Sequence, residues 1–346
     1  MTSSNPILGI VSADAPPFIG GMGRHVGSLV DGFRKEGMTV HVYDRSRRKI
    51  MYALGKNLGF SFGLRFRLRA FIAKNHINIL HVHSGPGGVL MPFSPYGVKV
   101  VVTANHTYAA QSRLPGQAWK RIFVALEKKT YERADAIIAI SEDTAESLRR
   151  DYGIPASRIS VIGCGFDLAP WIAADSDTRK KHACVFVGRP DSRKGWDILL
   201  SAWPLVQSAI PTATLSVVGW KEEPREGITF LGRISDADLP RLLGSSRLVV
   251  CPSRLEGFGL AAAESTAAGT PVLATLVPGL QRVIQPGRTG ILVDPHPTLV
   301  AHSIVQMLQD DALWNRLHEG CQTYRSTFDT KREISAHIDK FRALYS

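Results

Sequence analysis

Cysteine is scarce and scattered: Cys164, Cys184, Cys251 and Cys321 are the only four in 346 residues, and no two stand at C-x-x-C spacing. That excludes a disulfide-stapled scaffold and a zinc ribbon, and it reads as reduced thiols in a cytoplasmic protein. No stretch approaches the ~18 uninterrupted apolar residues that a membrane-spanning helix needs. The first residues, Met1 to Pro6, carry no basic segment ahead of an apolar run, so a secretory leader is not expected. Low-complexity tracts and short internal repeats are also missing. The most informative absence is of acid: between Asp44 and Glu127 there is neither Asp nor Glu.

That gap holds Arg45, Arg47, Arg48, Lys49, Lys56, Arg65, Arg67, Arg69 and Lys74 in its first part. Net charge is +12, from 42 basic and 30 acidic residues. Residues 1–170 hold 22 of the basic and 12 of the acidic ones, which leaves a nearly balanced 20 against 18 for the remainder. The excess charge belongs to the first half, and it predicts that something anionic meets this half. If Phe60 to Ala73 is helical, Phe60, Leu64, Leu68, Phe71 and Ile72 share a face with Arg65 and Arg69 beside it, the pattern of a helix lying on a membrane surface. Leu64 to Arg69 also alternates with the period of a strand.

What is present is the composition of a folded α/β protein, 44% apolar and 21% charged. The length exceeds what one core of ~250–300 residues fills, so two domains are expected. Short β-branched runs at 7–13, 39–44, 78–83, 99–104, 136–141 and 159–162 alternate with helical stretches, which argues for parallel βαβ units. The pattern restarts after the polar segment 175–181, with strands at 183–188, 213–219, 228–231, 248–252 and 271–274. The linker is placed near residues 168–182, and Lys331 to Tyr345 reads as a terminal amphipathic helix.

The segment Ser253-Arg254-Leu255-Glu256-Gly257-Phe258-Gly259-Leu260, running on to Glu264, follows an apolar run and precedes Gly269-Thr270-Pro271. It predicts a strand, a glycine loop and a short helix. Loop glycines let backbone N–H groups approach a ligand, and a helix N-terminus favours anions or polarised hydroxyls. Glu256 falls in the loop and Glu264 about two turns into the helix, where a carboxylate accepts hydrogen bonds from paired sugar hydroxyls. Spacing alone leaves a glycine turn with a solvated helical glutamate equally open.

This segment resembles the E-x7-E motif of the retaining family 4 glycosyltransferases, whose fold, called GT-B, has two Rossmann-like domains facing each other across a cleft. The resemblance runs in order over nearly the whole chain. Gly188-Arg189 with Lys194-Gly195 is similar to the family's diphosphate-binding segment, Phe230-Leu231-Gly232 with Asp238-Leu239 to the approach to the nucleotide pocket, and Gly290 to Val293 to a later strand. In the first half, Pro17 to Gly21 resembles the donor-facing glycine loop, Thr103-Ala104-Asn105-His106 a strand end with a donor-contacting histidine, and Ala134 to Ser141 a further signature. The chain departs from the pattern at Gly163-Cys164, where many members have Pro-Asn, and at Gln281-Arg282, where a glutamate is common.

The resemblance implies an acceptor-binding domain over residues 1–168, a nucleotide-sugar domain over 169–328, and a last helix, 329–346, that packs back on the first domain. It implies a hexosyltransferase that moves a sugar with retention from a UDP- or GDP-linked donor. It implies that no cofactor and no metal take part, because Arg189 and Lys194 would neutralise the departing diphosphate. Glu256 and the backbone of Gly257, Phe258, Gly259 and Leu260 would hold the sugar, Glu264 the ribose, His106 the sugar from the other domain, and Gly20, Gly21 and Gly188 would lie close to the donor. Combined with the basic patch of Arg45, Arg47, Arg48, Lys49, Arg65, Arg67 and Arg69, it implies a glycan or lipid-linked acceptor at the inner face of an anionic membrane, with a soluble acceptor as the alternative.

Rival readings are weaker. Gly21-Met22-Gly23 superficially resembles a dinucleotide fingerprint, but Val26 stands where a small residue is required and the first glycine lies too far from the preceding strand. Asp236-Ala237-Asp238 and Asp175-Ser176-Asp177 match a metal-binding D-x-D, yet helix capping accounts for the first and a charged linker for the second. His81 and His83 share a strand face without a third ligand at metal spacing. The basic stretch carries aromatics but no helix-turn-helix, zinc-finger or RNP signature, so specific nucleic-acid binding is not expected.

Overall fold

The structure is a computed structural model that describes residues 6–13, 21–44, 56–83, 97–176 and 179–345. It divides into two compact units, Met1–Phe166 with Thr330–Ser346, and Asp167–Asp329. The first unit runs β1 (Leu8–Val11), α1 (Gly21–Lys35), β2 (Val40–Tyr43), α2 (Lys56–Lys74), β3 (Ile79–His83), β4 (Lys99–Ala104), α3 (Tyr108–Ser112), α4 (Val124–Arg133), β5 (Ala136–Ala139), α5 (Glu142–Tyr152) and β6 (Ile159–Val161). Its six strands are parallel in the order β2-β1-β3-β4-β5-β6.

The second unit runs α6 (Ala169–Ala173), β7 (Lys180–Val187), α7 (Trp196–Ala209), β8 (Thr214–Val218), β9 (Ile228–Gly232), α8 (Asp238–Gly244), β10 (Ser246–Cys251), α9 (Leu260–Ala267), β11 (Val272–Thr275), α10 (Pro278–Val283), β12 (Gly290–Val293), α11 (Pro297–Gln309) and α12 (Asp311–Tyr324). The final helix, α13 (Thr330–Tyr345), belongs to the first unit and packs on α1.

Strands buried on both faces explain why they read as near-continuous apolar runs. In the first unit alternate residues feed two layers. Leu80, Val82, Val102, Ile137 and Ala139 pack with Leu64, Leu68, Phe71 and Ile72 of α2 and with Leu148 and Tyr152 of α5. Leu8, Ile10, Ile79, Val101 and Ile138 point the other way, onto Val26, Leu29 and Phe33 of α1 and Ile334, Ile338 and Phe341 of α13. Gly32 lets α13 approach α1 this closely, since a Cβ there would stand 2.5 Å from the Ile334 side chain.

α2 is a helix, which settles the two periods that its sequence allowed. Its apolar face is fully used by the core: Leu64 and Leu68 are at most 1% exposed. This corrects the expectation that the same face meets a membrane. The outward side carries Phe66, 68% exposed, and the exposed Arg67 and Arg69. Arg45, Arg47, Arg48 and Lys49 lie outside the described residues, as does the side chain of Arg65.

The second sheet is parallel in the order β12-β11-β10-β7-β8-β9. Counting from β7, that is the doubly wound order 3-2-1-4-5-6, which reverses direction between β7 and β10. A crevice forms outside the carboxyl ends of strands at such a reversal, and ligands bind there. The segments that leave β7 and β10 at that point are Gly188 to Gly195 and Pro252 to Gly259.

Candidate functional site

Those two segments are built against each other. Lys194 closes a turn in which its backbone N–H donates to the Asp191 side chain at 2.9 Å and to the Asp191 carbonyl at 3.1 Å. Gly195 follows at φ 66°, and a Cβ there would sit 1.8 Å from the Pro252 carbonyl oxygen, so only glycine allows the β7 segment to lie on the end of β10. From the other side, the Arg254 backbone N–H donates to the Arg193 carbonyl at 2.8 Å. The Arg254 guanidinium takes the Asp197 carboxylate bidentately, at 2.7 and 2.6 Å, and also donates to the Ser192 carbonyl at 2.9 Å.

Glu256 is the focus of this brace. Its carboxylate is buried, accepts from Lys194 Nζ at 2.5 Å and from Ser253 Oγ at 2.8 Å, and has Arg193 at 3.7 Å. Burial works against its charge, but Lys194 and Arg193 outweigh burial and hold the carboxyl at about 2. A buried charge this well paired stays ionised over the whole physiological range and remains fixed in place. Arg193 was not singled out from the sequence. Its contact with Glu256 spans more than sixty residues, and only the neighbouring Lys194 carried a motif.

Glu264 is the fifth residue of α9, little more than one turn in rather than two, and it is 5% exposed. α9 starts at Gly259, whose φ of 88° few other residues adopt, and whose Cβ would press on Leu280 at 2.8 Å. The thiol of Cys251, at the end of β10, is pushed up to about 12 by burial; Lys194 pulls it down while Glu256 and Glu264 raise it further. These three ionisable groups therefore surround the same strand end. Gly257 and Phe258 form the turn before α9, with the Phe258 ring edge-on to Phe328. The backbone of Gly188 passes close to the Lys194 stem, where a Cβ would meet Cγ at 3.2 Å. Arg189 is exposed beside this cluster. It offers an exposed cation in the same segment as Arg193 and Lys194, which Glu256 holds.

In the first unit, His106 is half-buried in the turn between β4 and α3. Gly21 is the first residue of α1, while Gly20 lies outside the described residues. His81 and His83 stand at the carboxyl end of β3 in a buried cluster with His25 and His337. His25 Nε2 donates to Glu333 Oε1 at 2.6 Å. Burial depresses His25, but Cys164 and Glu333 outweigh it and hold the ring protonated well above its ordinary range. Burial, with the neighbouring histidines, drives His81 and His83 well below that range. Glu333 also accepts from the Gly165 N–H at 2.7 Å, so the Gly163-Cys164 departure from the expected Pro-Asn falls where α13 is fastened.

Comparison with known proteins places the chain. The family model Glycosyltransferase Family 4 matches residues 19–170, and Glycosyl transferases group 1 matches residues 181–310. A D-inositol 3-phosphate glycosyltransferase from a Nocardioides species is 30% identical over 78% of this chain and 71% of its own length. Among solved structures, a sucrose-phosphate synthase from Thermosynechococcus elongatus superposes with a TM-score of 0.83 at 22% identity, covering 98% of this chain and 99% of that one. Anabaena HepE, solved in complex with UDP and glucose, superposes at 0.72 with 16% identity, covering 98% and 100%. Its sheets, its switch-point loops and these matches make the chain a member of glycosyltransferase family 4, with the GT-B fold.

Proposed function

We propose that the chain is a retaining hexosyltransferase whose second unit binds a UDP- or GDP-linked sugar at the β7/β10 reversal. The observation that carries this is the Lys194–Glu256 pair, with Arg193 and Arg189 beside it, at the mouth of a doubly wound sheet. Arg189 and Lys194 neutralise the diphosphate as it takes up charge on leaving, the task a divalent cation performs elsewhere. The fixed Glu256 carboxylate and the N–H groups of Gly257 to Leu260 accept from and donate to sugar hydroxyls, and Glu264 accepts from the ribose. His106 is assigned a contact with the sugar. No protein nucleophile is assigned, and the departing phosphate serves as base for the acceptor hydroxyl. The UDP bound by HepE supports uridine as the first base to try.

The acceptor is a lipid-linked or cell-envelope glycan, and the first unit meets the anionic leaflet that carries it. Support comes from the acid-free span 45–126 and from the exposed Phe66, Arg67 and Arg69 on the outward side of α2. Because the apolar face of α2 is buried, docking is electrostatic and peripheral. Among the described residues no helix is long and apolar enough to cross a membrane.

The test is transfer from UDP- and GDP-sugars to lipid-extract acceptors by protein stripped with EDTA, with the product anomer read by NMR. Metal-free transfer with the donor configuration kept supports the reading; inversion, or activity that returns only with manganese, overturns it.

A further inference from the structure

We propose that Glu127 is a positioning residue for His106: with Tyr152 and Tyr131 it clamps the β4–α3 turn that presents the histidine to substrate. The inference rests on His106 touching the sugar, as assigned above.

The clamp is visible atom by atom. α3 starts two residues after His106, and each of its first three N–H groups has a defined acceptor. Tyr108 N–H donates to Glu127 Oε2 at 2.7 Å, Ala109 N–H to the Tyr152 hydroxyl at 3.0 Å, and Ala110 N–H to Thr107 Oγ1 at 3.1 Å. The Tyr152 hydroxyl in turn donates to Glu127 Oε2, and Tyr131 donates to Oε1 at 3.1 Å. Thr107 is held from below by Ser147 at 2.6 Å, and Ser147 donates to Asp151 at 2.8 Å. Three donors thus converge on one carboxylate that is 2% exposed, from α3, α4 and α5.

No ion pair to Glu127 is present among the described residues. The groups that face it are Tyr108 from α3, Tyr131 on its own helix and Tyr152 from α5. The nearby Asp151 is occupied by Arg113 and Arg150. Burial therefore dominates the three hydrogen bonds and pushes the Glu127 carboxyl up to about 7. Near neutral pH the clamp exists in two forms. When the carboxyl is ionised, it accepts all three hydrogen bonds and each is charge-assisted. When it is protonated, one oxygen must donate, the Tyr131 hydroxyl must turn, and the hold on Tyr108 weakens. Such a change two residues from His106 alters the turnover step more than it alters binding of the nucleotide, which the second unit provides.

Glu127→Gln keeps the shape and removes the ionisation. Two readouts are followed from pH 5.5 to 8.5: the Tyr108 amide by 15N NMR, and UDP release from UDP-glucose. In the parent the Tyr108 amide titrates with a midpoint near 7, and kcat rises through the same midpoint. In Glu127→Gln both titrations vanish, kcat at pH 8 falls roughly tenfold, and KM stays within about twofold. The melting temperature at pH 8 is not lowered, because the neutral amide needs no buried charge; a merely structural role would lower it together with kcat. A Glu127→Gln profile like the parent's, a Tyr108 amide that does not titrate, or loss of kcat in step with stability overturns the proposal. His106→Ala separates the two layers. Full activity in that variant overturns the assignment of His106 and this inference with it, whereas an impaired His106→Ala beside a parent-like Glu127→Gln overturns the inference alone.

Discussion

Replacing Lys194 with Met keeps the stem length and removes the charge that Glu256 depends on. In the parent, Glu256 is held at about 2 against an ordinary value of 4.5. A gap of that size corresponds to about 3 kcal/mol of stability at neutral pH, since one unit is ~1.4 kcal/mol. The sign follows from linkage. A folded-state value below the unfolded one gives stability that is complete above 4.5 and is lost as pH falls toward 2. Without Lys194, burial faces only Arg193 at 3.7 Å, and the Glu256 carboxyl rises. The contribution then shrinks or reverses, and the variant is destabilised by roughly 3 kcal/mol near pH 7. Below about pH 4 the difference narrows, because the variant relieves its buried charge by taking up a proton. Urea unfolding of both proteins from pH 2.5 to 8 measures this, with Lys194→Met/Glu256→Gln as the control. The double variant should be more stable than Lys194→Met alone at pH 7. A stability loss of the same size at every pH, or a double variant no better than the single one, would refute the argument that the pair holds a buried charge.

Arg189→Ala, at an exposed position, should melt like the parent while losing transfer activity by about 10²-fold, as expected for one preorganised stabilising group; thermal scans and initial rates check both halves. His83→Leu should make the first unit less sensitive to acid. Burial holds His83 neutral in the fold, so its stability contribution is present above the unfolded value of 6.5 and is lost as pH falls below it; unfolding at pH 5 and pH 7.5 shows whether the variant loses less than the parent. Liposome flotation should recover the protein on anionic vesicles at low salt and release it as salt rises, each basic residue contributing ~1 kcal/mol. Replacing Arg45, Arg47, Arg48, Arg65, Arg67 and Arg69 with Gln should weaken recovery without changing nucleotide affinity, and equal recovery on neutral vesicles would contradict docking by charge.

The two parallel sheets were legible because strands covered on both faces read as near-continuous apolar runs, as in Val100 to Val102 and Leu248 to Cys251. α2 was harder. Leu64-Arg65-Phe66-Arg67-Leu68-Arg69 has the period of a strand, and the helix is visible only when Phe71 and Ile72 are counted with Leu64 and Leu68. The E-x7-E segment was readable from its glycines and its position after an apolar run. That Glu256 pairs with Lys194 and Arg193 was not, because the pairing depends on how β7 and β10 lie side by side in a doubly wound order. Glu127 escaped notice for the same reason. In Leu126-Glu127-Lys128-Lys129 it looks like the polar face of a surface helix, and only α3 and α5 closing over it turn it into a buried carboxylate. The fastening of α13 through His25 and Glu333 joins residues more than three hundred positions apart, beyond any local pattern.

The central claim is that the β7/β10 reversal of the second unit is a nucleotide-sugar pocket built on Arg189, Lys194, Glu256 and Glu264. Calorimetric titration of UDP and GDP into the metal-free parent, Arg189→Ala and Glu264→Gln tests it most directly. One diphosphate should bind the parent at a single site, Arg189→Ala should weaken it by about tenfold or more through the lost phosphate contact, and Glu264→Gln should weaken the nucleotide and its nucleoside alike. Binding of neither diphosphate to the folded parent, or equal affinity in all three proteins, would contradict the account.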